Sequence, residues 1–154
     1  MTIPRAIVAE ALNVPEDTLP PGDLPLDRFA ARYLHCLDSP DEEAPPEAWT
    51  QAVILHLVDA HPRLALDALR AALDTAMDAD AIAMIAAGPL EDLLAGHGPD
   101  IIGPTEQAAA ASPRLRYALT GVSGPEMKPL ILARIRAACA EGPALDAGDP
   151  PPLP

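Results

Sequence analysis

Glu91, Asp92 and His97 come nearest to a reactive constellation in this 154-residue chain. Two carboxylates beside an imidazole can share general acid and base work, or hold a metal ion. On that reading the chain is a small metal-dependent or acid/base hydrolase with these three residues as its catalytic set. Helix-end chemistry explains the same residues more simply. Pro89 suits the first position of a helix, and acids in the first turn complement the helix dipole. A histidine followed by Gly98 is ordinary at a helix C-terminus. Glu91 and His97 are six residues apart, so they do not share the i, i+4 face on which paired ligands sit. No catalytic residue is therefore assigned, and the hydrolase stands as the alternative.

His56 and His61 are the next candidates. They lie five apart with Asp59 between them, again off the i, i+4 spacing, and His61 precedes Pro62 at an expected helix end. His35 and Cys36 are an isolated adjacent pair. Cys36 and Cys139 are far apart and form no metal-ligand or disulfide framework, which points to a reducing, cytoplasmic setting. No G-x-S-x-G, phosphate-binding or dinucleotide-binding motif occurs. Neither a metal nor a cofactor is expected.

Charge is the more informative feature. Twenty-three acids against ten bases give a net charge of -13. That excludes a general nucleic-acid binder, which needs a basic footprint to displace counterions from phosphate. It equally excludes a polybasic membrane anchor. No run is apolar enough to span a membrane, and residues 1–13 lack the pattern of a secretory signal. Residues 1–50 carry net -7, residues 51–100 net -6, and residues 101–154 net 0. The acids Asp41, Glu42, Glu43, Glu47, Asp74, Asp78, Asp80, Glu91 and Asp92 are the candidate partner-binding set. Each cluster alone can simply be a solvated face. Together they suit a basic protein partner found by electrostatic steering. The bases Arg114, Arg116, Arg134 and Arg136 could grip an anion, but each pair is spaced i, i+2 and splits across helix faces.

These residues need elements to position them. Alanine and leucine dominate, and aromatic residues make up only 3%. That composition predicts an all-α fold. Periodicity predicts helices over about 3–12, 26–37, 46–61 and 62–77. The wide apolar arc of the third predicts a central position. Asp78 or Asp80 caps a short fifth helix that Gly88 stops. Pro89 starts a sixth, closed by Gly96-His97-Gly98-Pro99. A seventh covers 105–111, an eighth follows Ser112-Pro113, and a last one spans about 128–140. Ser123 and Glu126 resemble a capping box. The whole reads as eight or nine short helices, arranged as an orthogonal bundle or a short HEAT-like repeat stack. One domain covers 1–140, and 141–154 form a disordered Pro-rich tail.

One segment carries a resemblance. Ala87-Gly88-Pro89-Leu90-Glu91-Asp92-Leu93-Leu94, followed by His97-Gly98 and later by Ser112-Pro113-Arg114-Leu115-Arg116, resembles the core of an uncharacterised bacterial domain family of unknown function. Trp49 and Pro62 fall where that family has a tryptophan and a helix-breaking proline. The similarity covers about residues 45–122. It implies an all-helical domain and no reaction. It also implies one continuous helix where Gly103-Pro104 interrupts the pattern here. The leading expectation is a cytoplasmic, non-enzymatic protein-interaction module, of the acidic immunity or antitoxin type, with a basic partner. A structural subunit of an oligomer is a further reading.

Overall fold

A computed structural model describes residues 1–39 and 45–154. Its helices are α1 (Arg5–Leu12), α2 (Leu26–Leu37), α3 (Trp49–Ala60), α4 (Pro62–Thr75), α5 (Ala79–Ile85), α6 (Glu91–Ala111), α7 (Pro113–Leu119) and α8 (Pro129–Ala138). A π turn, Ala86–Leu90, joins α5 to α6 without a break. Two strands, β1 (Thr2–Ile3) and β2 (Leu24–Pro25), pair antiparallel with Ile3 opposite Leu24. The fold is all-α, as expected. Because 79–111 is one helical run, the described residues form seven helical bodies and not eight or nine.

The ends of these helices follow from local chemistry. Asn13 closes α1 in the left-handed region at φ 52°, which asparagine tolerates. Asp78 caps α5 by accepting from the Ala81 N–H, and Ser112 caps α7 by accepting from the Leu115 N–H. Pro62, Pro113 and Pro129 each open a helix, where a missing N–H costs nothing.

The run from 79 to 111 departs from expectation. Gly88 takes φ -114°, ψ -109° and His97 φ -121°, ψ 18°, so the run bends at both. It does not stop at either. The bend at His97 leaves Pro99 near the start of a fresh helical stretch, where its ring is tolerated. Burial holds the run together across the prolines. Leu93, Leu94, Ile101, Ile102, Thr105 and Ala109 are all buried. Gly98 lets α6 approach α8, since a Cβ there would meet Ile131 at 2.9 Å. The continuity that the family resemblance implies across Gly103-Pro104 is present.

Packing centres on α4, which buries Ala65, Leu66, Ala68, Leu69, Ala72 and Leu73. It touches α2, α3, α5, α6 and α7. The expected centre, α3, touches α1, α2, α4 and α6. In a repeat stack each unit meets only its neighbours. Here one helix is shared by most others, which is a bundle. Phe29 stacks on Tyr33 at 5.7 Å and meets Trp49 edge-on at 6.4 Å, fixing α2 against the start of α3. Burial raises the Tyr33 phenol above its usual range.

Ser123 and Glu126, which resemble a capping box, lie in the connection 120–128, and the last helix begins at Pro129 with Lys128 before it. Residues 141–154 contain no helix or strand, yet three hydrogen bonds hold them to the 112–120 region. Tyr117 donates to the Gly148 carbonyl at 2.7 Å, Arg114 to the Pro151 carbonyl at 2.6 Å, and the Leu145 N–H to Thr120 Oγ1 at 2.9 Å. No described helix is long and apolar enough to cross a membrane.

Candidate functional site

Glu91 stands at the start of α6 and turns toward the 120–128 turn. Its Oε2 accepts from the Ser123 N–H at 3.0 Å. Gly124 lies so close that a Cβ there would meet Glu91 Oε1 at 2.8 Å. His97, at the bend of α6, donates from Nε2 to the Asp59 carbonyl at 3.1 Å. That carbonyl is at the C-terminal end of α3, where helix carbonyls lack partners. Asp92 is exposed. Two of the three residues in the hydrolase alternative therefore tie separate elements together, one reaching the 120–128 turn and the other α3.

The acids proposed to meet a partner divide into groups. Asp41, Glu42 and Glu43 lie outside the described residues. Glu47 is buried and folds back on α2, with Oε1 at 3.2 Å from Arg32 Nη1 and Oε2 at 3.2 Å from His35 Nδ1. It does not belong to an exposed acidic face. Asp74 is half-buried and accepts from Ser112 Oγ at 3.2 Å. Asp78 and Asp80 are exposed beside the junction of α4 and α5. Two large apolar side chains stand with them: Met77 is 79% exposed and Met84 42%. Asp80 and Met84 are four apart on α5 and share one helix face. The helical spacing of Leu66, Leu69, Leu73 and Met77 predicts an inward Met77, but α4 ends at Thr75 and leaves Met77 in solvent, while Met84 falls among isoleucines in the sequence.

The arginine group does not form one anion pocket. Arg114 is only 4% exposed and bonds through Nε to the Leu73 carbonyl at 2.6 Å, and through Nη2 to the Ala76 carbonyl. It thus caps the C-terminal end of α4. Burial lowers its pKa from the usual value, with Asp74 and Tyr117 opposing. Arg116 donates to the Ala109 carbonyl at 2.5 Å and caps α6 in the same way. Arg134 makes a two-pronged bond to Glu106, at 2.8 Å from Nε and 2.5 Å from Nη2. Arg136 is exposed on α8.

A different cluster is assembled by the packing of α1 on the corner between α3 and α4. Glu10, His56 and His61 bring one ligand atom each to within 4.8 Å of the others. The two imidazole rings meet edge-on with centroids 5.5 Å apart. His56 Nε2 is buried without a hydrogen-bond partner and lies 3.6 Å from Glu10 Oε2. The spacing of His56 and His61 works because α3 ends at Ala60. His61 leaves the helix at φ -134°, ψ 60°, so its ring swings back beside His56. Glu10 was not linked to the histidines in the sequence, and no local pattern signals the contact.

Two cavities flank α1. One, of about 510 Å³, is walled by Val8, Leu12, Leu19, Leu24 and Trp49, with Arg5 and Arg28 among its polar groups. The other, of about 480 Å³, includes Glu10, Asn13 and Glu16.

No curated protein and no solved structure matches this chain. A family's sequence profile does, over residues 38–142, a span that contains the AGPLEDLL segment and the α7 cap but leaves out α1 and α2. The chain belongs to that family, a family of unknown function, DUF6869.

Proposed function

We propose that the chain is a non-enzymatic protein-interaction module that meets a basic protein through the corner between α4 and α5. The supporting observation is the pairing there of exposed Met77 and Met84 with the carboxylates of Asp78 and Asp80. Methionine is flexible and polarizable and adapts to irregular apolar surface. Carboxylates beside it steer a basic partner and select against acidic ones. The net charge of -13 extends that steering beyond the contact itself. An immunity or antitoxin-type inhibitor of a basic toxin is the kind of protein this describes. The reading places it in a bacterial cytoplasm, where the free thiols Cys36 and Cys139 stay reduced.

The experiment is capture by the tagged full chain from native lysate, washed at low and high salt and read by mass spectrometry. A Met77→Ser/Asp80→Lys double variant runs beside it. The expected result is a basic protein held by the wild type at low salt, lost at high salt, and lost from the variant at both. Equal retention by the variant, or binding indifferent to salt, counts against the proposal.

A further inference from the structure

We propose that Glu10, His56 and His61 form a binding site for a divalent transition-metal ion of the zinc class. Two imidazoles and one carboxylate are a complete protein ligand set for zinc, which then keeps a fourth position for water or another ligand. Tetrahedral zinc, with bonds near 2 Å, holds its ligand atoms about 3.3 Å apart. His56 Nε2 and Glu10 Oε2 are already at 3.6 Å, and His61 completes a triangle no wider than 4.8 Å. Closing it needs only small side-chain rotations, because Glu10 is exposed and His61 half-buried.

The independent observation is the state of His56. Buried polar atoms nearly always find a partner, and an exception calls for a cause. His56 Nε2 is buried, lacks a hydrogen bond, and is directed at a carboxylate just beyond hydrogen-bond range. An imidazole nitrogen so placed can serve as a metal ligand once it carries no proton. Nitrogen and oxygen donors without thiolate favour zinc, or cobalt and nickel as replacements, over calcium or magnesium. The ion would clamp α1 onto the corner of α3 and α4. Glu10 also lines the 480 Å³ cavity, so the site borders space that a small ligand can enter.

The test is titration of metal-stripped, full-length protein with Zn²⁺ by calorimetry, with melting temperature read in parallel. Co²⁺ absorption then reports the coordination number. One equivalent of Zn²⁺ is expected to bind saturably and raise the melting temperature. Co²⁺ is expected to give the intense visible bands of a tetrahedral site. Glu10→Gln, at an exposed position, and His61→Ala should each weaken binding by at least about tenfold, a loss that even outer-shell changes cause. His35→Ala, at the other histidine–glutamate pair, should bind as the wild type does. Absence of stoichiometric binding overturns the proposal. So does wild-type affinity in both Glu10→Gln and His61→Ala, or loss of binding in His35→Ala.

Discussion

The two halves of the molecule treat their buried polar groups differently. Across α6, α7 and α8 three of the four arginines are matched to acceptors: Arg114 to the Leu73 and Ala76 carbonyls, Arg116 to Ala109, and Arg134 to Glu106. The buried hydroxyl of Thr105 finds the Ile101 carbonyl at 2.8 Å. Around α1, α2 and α3 the matching is incomplete, although the buried Thr50 hydroxyl finds the Glu47 carbonyl at 2.7 Å. The buried side-chain atoms without a hydrogen bond, among the described residues, are Arg5 Nε, Glu47 Oε2 and His56 Nε2. Glu47 Oε2 has His35 nearby but without hydrogen-bond alignment. Satisfied networks hold a fold in one arrangement, whereas unsatisfied buried groups raise its energy until something binds them. Arg114, Arg116 and Arg134, three of the four arginines weighed as anion ligands, are thus scaffolding. The unremarked corner around α1 is where binding capacity remains.

Removing a scaffold arginine gives the largest expected effect. Arg114→Met should lower stability by about 3–5 kcal/mol, because buried carbonyls at the end of α4 lose a charged donor. Urea denaturation monitored by circular dichroism reads it. A loss below about 1 kcal/mol would erase the contrast between the halves. Glu91→Gln comes next, at about 1–2 kcal/mol, since an amide is a weaker acceptor for the Ser123 N–H than a carboxylate. That loss, without any accompanying loss of a hydrolytic activity, separates the tying role of Glu91 from a catalytic one.

How far the sequence reveals this contrast depends on the range of the interaction. The buried face of α2, with Leu26, Phe29, Ala30 and Tyr33, is legible because it repeats with the helical period. The caps Asp78 and Ser112 are legible because each acts on a backbone N–H three residues away. Gly88, Pro99 and Pro104 mislead. They are strong local breakers, and the burial of Leu93, Leu94, Ile101 and Ile102 overrides them. The strand pair of Thr2–Ile3 with Leu24–Pro25 is too short to show any alternation. Glu47 sits in an acidic stretch, and only its contacts with Arg32 and His35 reveal it as interior. The meeting of Glu10 with His56 and His61 depends wholly on how α1 packs on α3, so no spacing rule reports it.

The open half predicts a smaller effect of unusual sign. In metal-free buffer, His56→Leu should leave stability within about 0.5 kcal/mol of wild type or raise it, because an unsatisfied buried nitrogen gives way to an apolar side chain of similar size. Thermal melts with and without a chelator separate this effect from metal binding. A destabilisation of about 2 kcal/mol or more would mean that His56 already has its partner in the folded protein, and the two halves would then be alike.

The smallest effect tests whether the matched half owes anything to exposed pairs. The hydrogen bonds from Arg134 hold the Glu106 carboxyl below its ordinary pKa, partly offset by desolvation, with the arginine charge acting the same way. A depressed carboxylate pKa stabilises the fold above the unfolded-state value and loses that contribution as pH falls through the folded-state value. Wild type should therefore exceed Glu106→Gln in stability at neutral pH, and the gap should close as pH falls below about 4. Both side chains are partly exposed, so added salt should also narrow the gap at neutral pH. A gap that persisted at low pH would show that Glu106 acts through packing of its methylenes on α8 and not through its charge. The matched half would then rest on the carbonyl-capping Arg114 and Arg116 alone, since they meet neutral carbonyls whose acceptor strength does not titrate in this range.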